Sequence, residues 1–201
     1  MTMQPYDRIV GQWVRQRPAL RADELALIDR LVDGLPIGAA VLDLGCGTGR
    51  PIAELLVERG FRVTGIDHAT AMLDQARQAV PGANWYRAEL DAPLGQTFAA
   101  VVCWDAIFHL ERARHAVVFR EVWRGLSPGG RFLFTTGGSA QPPFTDTMFG
   151  QEFFYDAPAP AETLALVHAA GFRLLADVML ELPRGGREKG RMAVLAEKPA
   201  I

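Results

Sequence analysis

Apolar positions along the chain switch repeatedly between two spacings, and the switching predicts the elements. Leu20, Leu27, Ile28, Leu31 and Val32 fall at helical spacing, and Gly34-Leu35-Pro36 ends that helix. Residues 39–44 predict a short buried strand that runs into Gly45-Cys46-Gly47-Thr48-Gly49. Pro51 suits the first turn of a helix, where a backbone N–H would lack a partner anyway. That helix continues through Ile52, Leu55 and Leu56 to a natural stop at Gly60. A strand over 61–66 follows. Thr70 then caps a helix carrying Met72, Leu73 and Ala76, which ends before Pro81-Gly82. Strands are predicted over 84–88 and 98–104. Ala116, Phe119, Val122 and Trp123 mark another helix, closed by Ser127-Pro128-Gly129-Gly130, and 131–136 is again a strand.

Strands that alternate with helices and are apolar on both faces indicate a mostly parallel sheet covered on both sides. The end of the chain reads differently. Residues 137–160 are rich in Gly, Pro and Phe without a clear period and read as a long loop. A helix over 162–170 closes at Gly171. Strands over 172–182 and 191–197, joined directly by a turn, must then be antiparallel. No linker or internal repeat interrupts the pattern, so one α/β domain is expected.

Composition narrows the class. Hydrophobic residues make up 49% of the 201 and charged residues 22%, which excludes wholesale disorder. Lys+Arg 21 against Asp+Glu 23 gives a net charge of −2, a poor match to a nucleic-acid-binding module. The two cysteines, Cys46 and Cys103, exclude a disulfide scaffold and a multi-cysteine zinc site; they read as reduced packing thiols. No pair of histidines has metal-ligand spacing on one helix face, so no metal is expected. No apolar run approaches the roughly 20 residues of a membrane span, and the first residues lack the apolar core of a signal peptide. A cytoplasmic protein, monomeric or homodimeric, is the expectation.

The informative chemistry sits in Val41-Leu42-Asp43-Leu44-Gly45-Cys46-Gly47-Thr48-Gly49-Arg50. A glycine-rich turn between first strand and first helix lets a ligand approach the backbone closely. Asp67, at the end of the next strand and about 20 residues on, can accept both ribose hydroxyls of a nucleoside ligand. A dinucleotide fingerprint would want a third glycine where Arg50 stands. Asp43, ahead of the loop, would repel a pyrophosphate and would suit a cationic amino-acid group.

These residues resemble the class I S-adenosylmethionine-dependent methyltransferases. The resemblance rests on VLDLGCGTG at 41–49, VTGID at 63–67, FAAVVCWDAIFHL at 98–110 and LSPGGRFLF at 126–134, in that order, and extends over roughly 38–197. It implies a Rossmann-like class I methyltransferase fold: a mostly parallel seven-stranded sheet with a C-terminal antiparallel hairpin, helices on both faces. Residues 1–37 would form a helical lid, 38–136 a cofactor-binding core and 137–201 a substrate-side segment with the hairpin. S-adenosylmethionine would be the cofactor and S-adenosylhomocysteine the product. Asp43 would hold the methionine amino group, and Gly45, Cys46 and Gly47 would present backbone to the methionyl part. Asp67 would bind the ribose and His68 would lie beside the adenine, with Met72 in the same cofactor-binding set. Glu89 stands where the family usually has an aspartate that accepts from the adenine amino group, and Asp91 is its rival. Leu90 would offer its N–H to the adenine, and Trp104 would line the methyl-donor end. Stretches 103–110 and 150–156 also look like a small bacterial subgroup whose acceptors are largely unassigned.

The acceptor, a small molecule on this reading, would sit outside the carboxyl ends of the strands. Tyr6 and Trp13 could close over the cofactor there. Asp105, His109 and Tyr155 are the candidate bases, His109 being the group whose ordinary pKa lies nearest neutrality. His115 and His168 read as solvated or packing residues. Arg184, Arg187, Lys189 and Arg191 read as a solvated turn. Two rival readings are a non-catalytic binder of the same cofactor and a nicotinamide-dependent oxidoreductase.

Overall fold

The computed structural model describes residues 5–16, 19–186 and 188–200; Arg187 therefore lies outside the described residues. The strands are β1 (Ala40–Leu44), β2 (Arg62–Asp67), β3 (Asn84–Arg87), β4 (Phe98–Cys103), β5 (Leu126–Gly137), β6 (Phe144–Met148), β7 (Gln151–Tyr155), β8 (Arg173–Glu181) and β9 (Arg191–Glu197). The helices are α1 (Pro5–Gln16), α2 (Ala22–Val32), α3 (Ile52–Glu58), α4 (Thr70–Ala79), α5 (Arg112–Gly125) and α6 (Pro160–Ala169). Among the described residues, seven strands form one sheet in the order β3-β2-β1-β4-β5-β9-β8. β1 to β5 pair in parallel, and β9 runs antiparallel to both β5 and β8.

Side-chain alternation along each strand divides the core into two layers. Leu42, Leu44, Val101, Cys103, Phe132, Phe134 and Val194 point to the face covered by α5 and α6. Val41, Ala100, Val102, Leu133 and Leu195 point to the face covered by α2, α3 and α4. Sheet order reverses between β1 and β4, which opens a crevice at their carboxyl ends, where ligands of such sheets bind.

Several expectations are corrected. The presumed loop over 137–160 contains a two-stranded sheet, β6 with β7, separate from the large one. Its turn is Phe149-Gly150, with φ +50° and +76°, and Met148 pairs with Gln151 across it. Both central residues have positive φ, as two-residue hairpins prefer, but a phenylalanine there gives no sequence signal. Helix α5 ends at Gly125, and strand pairing resumes at Leu126 with a register shift over Ser127–Gly130. Pro51 lies just before α3 rather than inside it, and Thr70 is the first helical residue of α4 rather than its cap. Asp7 of α1 supplies the missing cap: its carboxylate accepts from the Ala71 N–H at 2.8 Å.

Candidate functional site

The glycine loop forms because β1 ends in backbone that only glycine adopts without strain. Gly45, Gly47 and Gly49 have φ of +79°, +53° and +76°. A Cβ on Gly45 would collide with the Ala106 methyl, so the loop also needs glycine for space. The Gly45 and Cys46 N–H groups donate to the Ile66 carbonyl at 2.7 and 3.0 Å, locking the loop to β2.

Asp67 extends this lock. One carboxylate oxygen accepts from the Gly47 N–H at 2.8 Å and the other from the Ala69 N–H at 2.9 Å. Asp67 thereby joins the glycine loop to the start of α4, and each oxygen keeps a lone pair for a ligand hydroxyl. Burial pushes its carboxyl above the ordinary value, against these two donors and the neighbouring His68. Asp43 is buried beneath the loop. Glu89 lines the cavity, whereas Asp91 is held by Arg114 in a two-pronged pair at 2.7 and 2.8 Å. That hydrogen-bonded pairing lowers the Asp91 carboxyl below its usual range.

A cavity of about 310 Å³ lies above the loop. Tyr6, Trp13, Asp43, Gly45, Cys46, Gly47, Asp67, His68, Met72, Glu89, Leu90, Trp104, Asp105 and His109 all line it. Residues dispersed over a hundred positions are thus brought to one place by the carboxyl ends of β1 to β4 and by α1. The roof is aromatic. Tyr6 lies edge-on to Trp13, His109 and Phe153, and Ile9, Ala69, Met72 and Phe153 form one apolar cluster that ties α1 and β7 to the start of α4.

His109 is fixed from both sides. Its Nδ1 lies 2.9 Å from the Phe154 carbonyl and its Nε2 2.8 Å from the Tyr6 hydroxyl. A carbonyl only accepts, so Nδ1 carries the hydrogen and Nε2 accepts from Tyr6. Burial pushes the imidazole down to about 4, so the expectation that it titrates near neutrality is not met.

Asp105 has φ +52° and is held there by its neighbours. Its N–H donates to the Thr135 hydroxyl at 2.7 Å, and that hydroxyl donates back to its carboxylate at 3.0 Å. Arg191 reaches both carboxylate oxygens at 2.8 and 2.9 Å. Arg191 also pairs with Glu24, and with Glu181 at 3.4 Å. Burial alone would lower this guanidinium; Asp105 and Glu24 raise it instead. Arg191 is thus no solvated turn residue: its side chain is 16% exposed. Elsewhere in that turn, Arg184 pairs with Glu188 at 3.9 Å and Lys189 lies over the Phe144 ring.

A second cavity of about 530 Å³ adjoins the first and shares Tyr6, Trp13, Trp104, Asp105 and His109 with it. Tyr155, a candidate from sequence, does line this cavity, whereas Arg191, which looked like part of a solvated turn, was missed, and Met148 and Tyr155 come from a hairpin read as a loop. Gly150, flanked by aromatic and β-branched residues at 144–155, was the available signal. The remaining groups are structural. Cys46 and Cys103 are free, buried on opposite faces of the sheet, and burial raises both thiols. His115 is buried in α5, and His168 is exposed on α6. Among the described residues no helix is long and apolar enough to cross a membrane.

Sheet order, glycine loop and acid after the second strand together define a nucleoside-binding α/β protein, and comparison with known proteins makes that class specific. A family model described as a methyltransferase domain matches residues 41–130. YqeM of Bacillus subtilis (strain 168), named as a methyltransferase, is 32% identical over 152 residues, covering 69% of this chain and 61% of that protein. The trans-aconitate 2-methyltransferase of Azoarcus sp. (strain BH72) is 40% identical over 129 residues, covering 59% of this chain and 48% of its own length. A SAM-dependent methyltransferase structure from Methanosarcina mazei superposes with TM-score 0.75 at 19% identity, covering 92% of this chain and all of that one. The chain spans about half to three-fifths of the length of these curated relatives. Residues 41–130 therefore match a methyltransferase domain, and the chain shares the fold of the S-adenosylmethionine-dependent methyltransferases.

Proposed function

We propose that this protein transfers the methyl group of S-adenosylmethionine to a small-molecule acceptor. One observation carries the reading: the Asp67 carboxylate bridges the Gly47 and Ala69 N–H groups at the mouth of a glycine cradle, with a second cavity next door. The donor set fits the cofactor. Gly47 lines the cavity with room beside it, a Cβ there meeting nothing nearer than Trp13 Nε1 at 3.8 Å. Three cavity carboxylates, Asp43, Asp67 and Glu89, match a ligand bearing an ammonium, a ribose diol and an adenine amino group.

When bound, S-adenosylmethionine supplies a methyl already activated on a sulfonium. The chain's work is then placement. Asp43 holds the methionine amino group, while Gly45, Cys46 and Gly47 offer backbone to the methionyl part. Asp67 accepts from the ribose hydroxyls, and Glu89 and the Leu90 N–H read the adenine edge, flanked by His68 and Met72. Trp104 lines both cavities, so an acceptor in the second would lie beside the methyl donor. Tyr6 and Trp13 close α1 over both and keep water out. Asp105 is held in place by Arg191 and Thr135 and orients an acceptor polar group. Neutral His109, with Nε2 engaged by Tyr6, positions the roof rather than acting as a base. The same reading gives one domain of 1–37 lid, 38–136 cofactor core and 137–201 acceptor side. It places the protein in the cytoplasm, in keeping with two free buried thiols.

Calorimetric titration with S-adenosylmethionine, S-adenosylhomocysteine and NAD tests this. Micromolar binding of the first two, none of NAD, and loss of about 100-fold in Asp67→Ala are expected, since two charge-assisted hydrogen bonds are worth about 3 kcal/mol or more. Transfer of labelled methyl to a component of cell extract then separates an enzyme from a silent binder. Binding of NAD alone would overturn the reading.

A further inference from the structure

The second cavity has a chemical character of its own. Its walls are largely aromatic, with Trp104, Phe108 and Tyr155 facing Tyr6 and Trp13. Its polar end holds two guanidiniums, Arg21 and Arg191, and three carboxylates, Glu24, Asp105 and Glu181.

Neither guanidinium is left to greet an anion. Arg191 is bound to Asp105 at 2.8 Å, to Glu24, and to Glu181 at 3.4 Å. Arg21 is bound to Glu181 at 3.2 Å, to Glu24 at 3.6 Å and to Asp23 at 3.3 Å. An anionic acceptor would have to displace one of these carboxylates or sit beside three of them. An aromatic-walled space with surplus carboxylate instead favours a ring that is neutral or cationic.

Resting on the methyl-transfer reading, we infer that this cavity is the acceptor site and that it selects neutral or cationic ring-bearing acceptors against anionic ones. Glu181 is the outermost member of the clamp, with its side chain 54% exposed. It contacts both guanidiniums, Arg21 at 3.2 Å and Arg191 at 3.4 Å, and sets the discrimination. The inference separates this chain from its relative named for trans-aconitate, a tricarboxylate.

The test uses three probes built on one phenol ring: tyramine (cationic), 4-ethylphenol (neutral) and 4-hydroxyphenylacetate (anionic). Binding is read by saturation-transfer NMR on the full chain, with and without S-adenosylhomocysteine. The anion is expected to bind at least tenfold more weakly than the other two, and trans-aconitate is expected to give no turnover. Glu181→Gln, checked for an unchanged melting temperature, is expected to narrow the gap at least threefold by uncovering Arg21 and Arg191. Equal or tighter binding of the anion in the native protein overturns the inference, as does failure of all three probes to bind. An unchanged gap in Glu181→Gln also overturns the role of the clamp. Failure to bind S-adenosylhomocysteine strikes the methyltransferase reading instead, and the probe ranking on the unloaded protein still judges the cavity.

Discussion

The Tyr6 hydroxyl donates to Nε2 of His109 across 2.8 Å, joining the first helix to the turn that follows β4. This bond spans the mouth of the cofactor cavity, since both residues line it. Tyr6→Phe keeps the ring contacts with Trp13 and Phe153 and removes only the hydroxyl. A neutral hydrogen bond is worth about 0.5–1.5 kcal/mol, so affinity for S-adenosylhomocysteine should fall about 2- to 10-fold, read by calorimetry. Unchanged affinity would mean that α1 does not hold the cavity shut.

The His109 environment sets a pH signature. Its folded pKa of about 4 lies below the roughly 6.5 of an unfolded chain. The unfolded state therefore takes up the proton first, and the stability His109 contributes is complete above pH ~6.5. It is lost as pH falls toward 4, with a slope of up to about 1.4 kcal/mol per pH unit. Asp91 and Asp156, lowered beside Arg114 and Arg112, add their own losses only below about pH 4. Melting temperatures of the native protein and His109→Asn between pH 4.5 and 7.5 isolate the His109 share: the native curve should be the steeper one.

Gly45→Ala meets two obstacles at once, a φ of +79° and a collision with Ala106. Gly95→Ala meets only the first, with φ +69° and open space around it. The control should lose about 1 kcal/mol of stability from backbone strain. Gly45→Ala should lose more, and its cofactor affinity should drop at least tenfold, while that of Gly95→Ala stays within twofold. Thermal melts and calorimetry on the pair measure both.

Arg191→Met would strand Glu24, which is buried, and Asp105 without their shared cation. Removing one partner of a buried ion pair costs about 3–5 kcal/mol. The variant should unfold at clearly lower denaturant than the native protein. Adding Glu24→Gln should restore part of the loss, a non-additivity that a double-mutant cycle reads directly.

The cofactor side was legible in the sequence because it is local. A strand, three glycines and an acid at the next strand end lie within 27 residues of one another, from Val41 to Asp67, and each residue type answers a backbone or ligand demand. The choice between Glu89 and Asp91 was not legible, because Arg114, which engages Asp91, sits on a helix beyond β4. The acceptor side was hidden for similar reasons. Arg191 meets Asp105 across 86 positions and Glu24 across 167, and no spacing rule reaches that far. The hairpin was hidden because Phe149 occupies a left-handed turn position that normally advertises itself with Asn, Asp or Gly. Histidine chemistry misled for a different reason: the ordinary pKa of His109 says nothing about the burial that moves it.

The β6–β7 hairpin hydrogen-bonds as a ladder only to itself, yet it supplies Met148 and Tyr155 to the acceptor side and Phe153 to the roof. Part of the second cavity's wall therefore comes from outside the seven-stranded sheet, while its polar end comes from α2, β8, β9 and the turn after β4. Changes confined to the twelve residues from Phe144 to Tyr155 would reshape that wall while leaving every strand pairing of the large sheet in place.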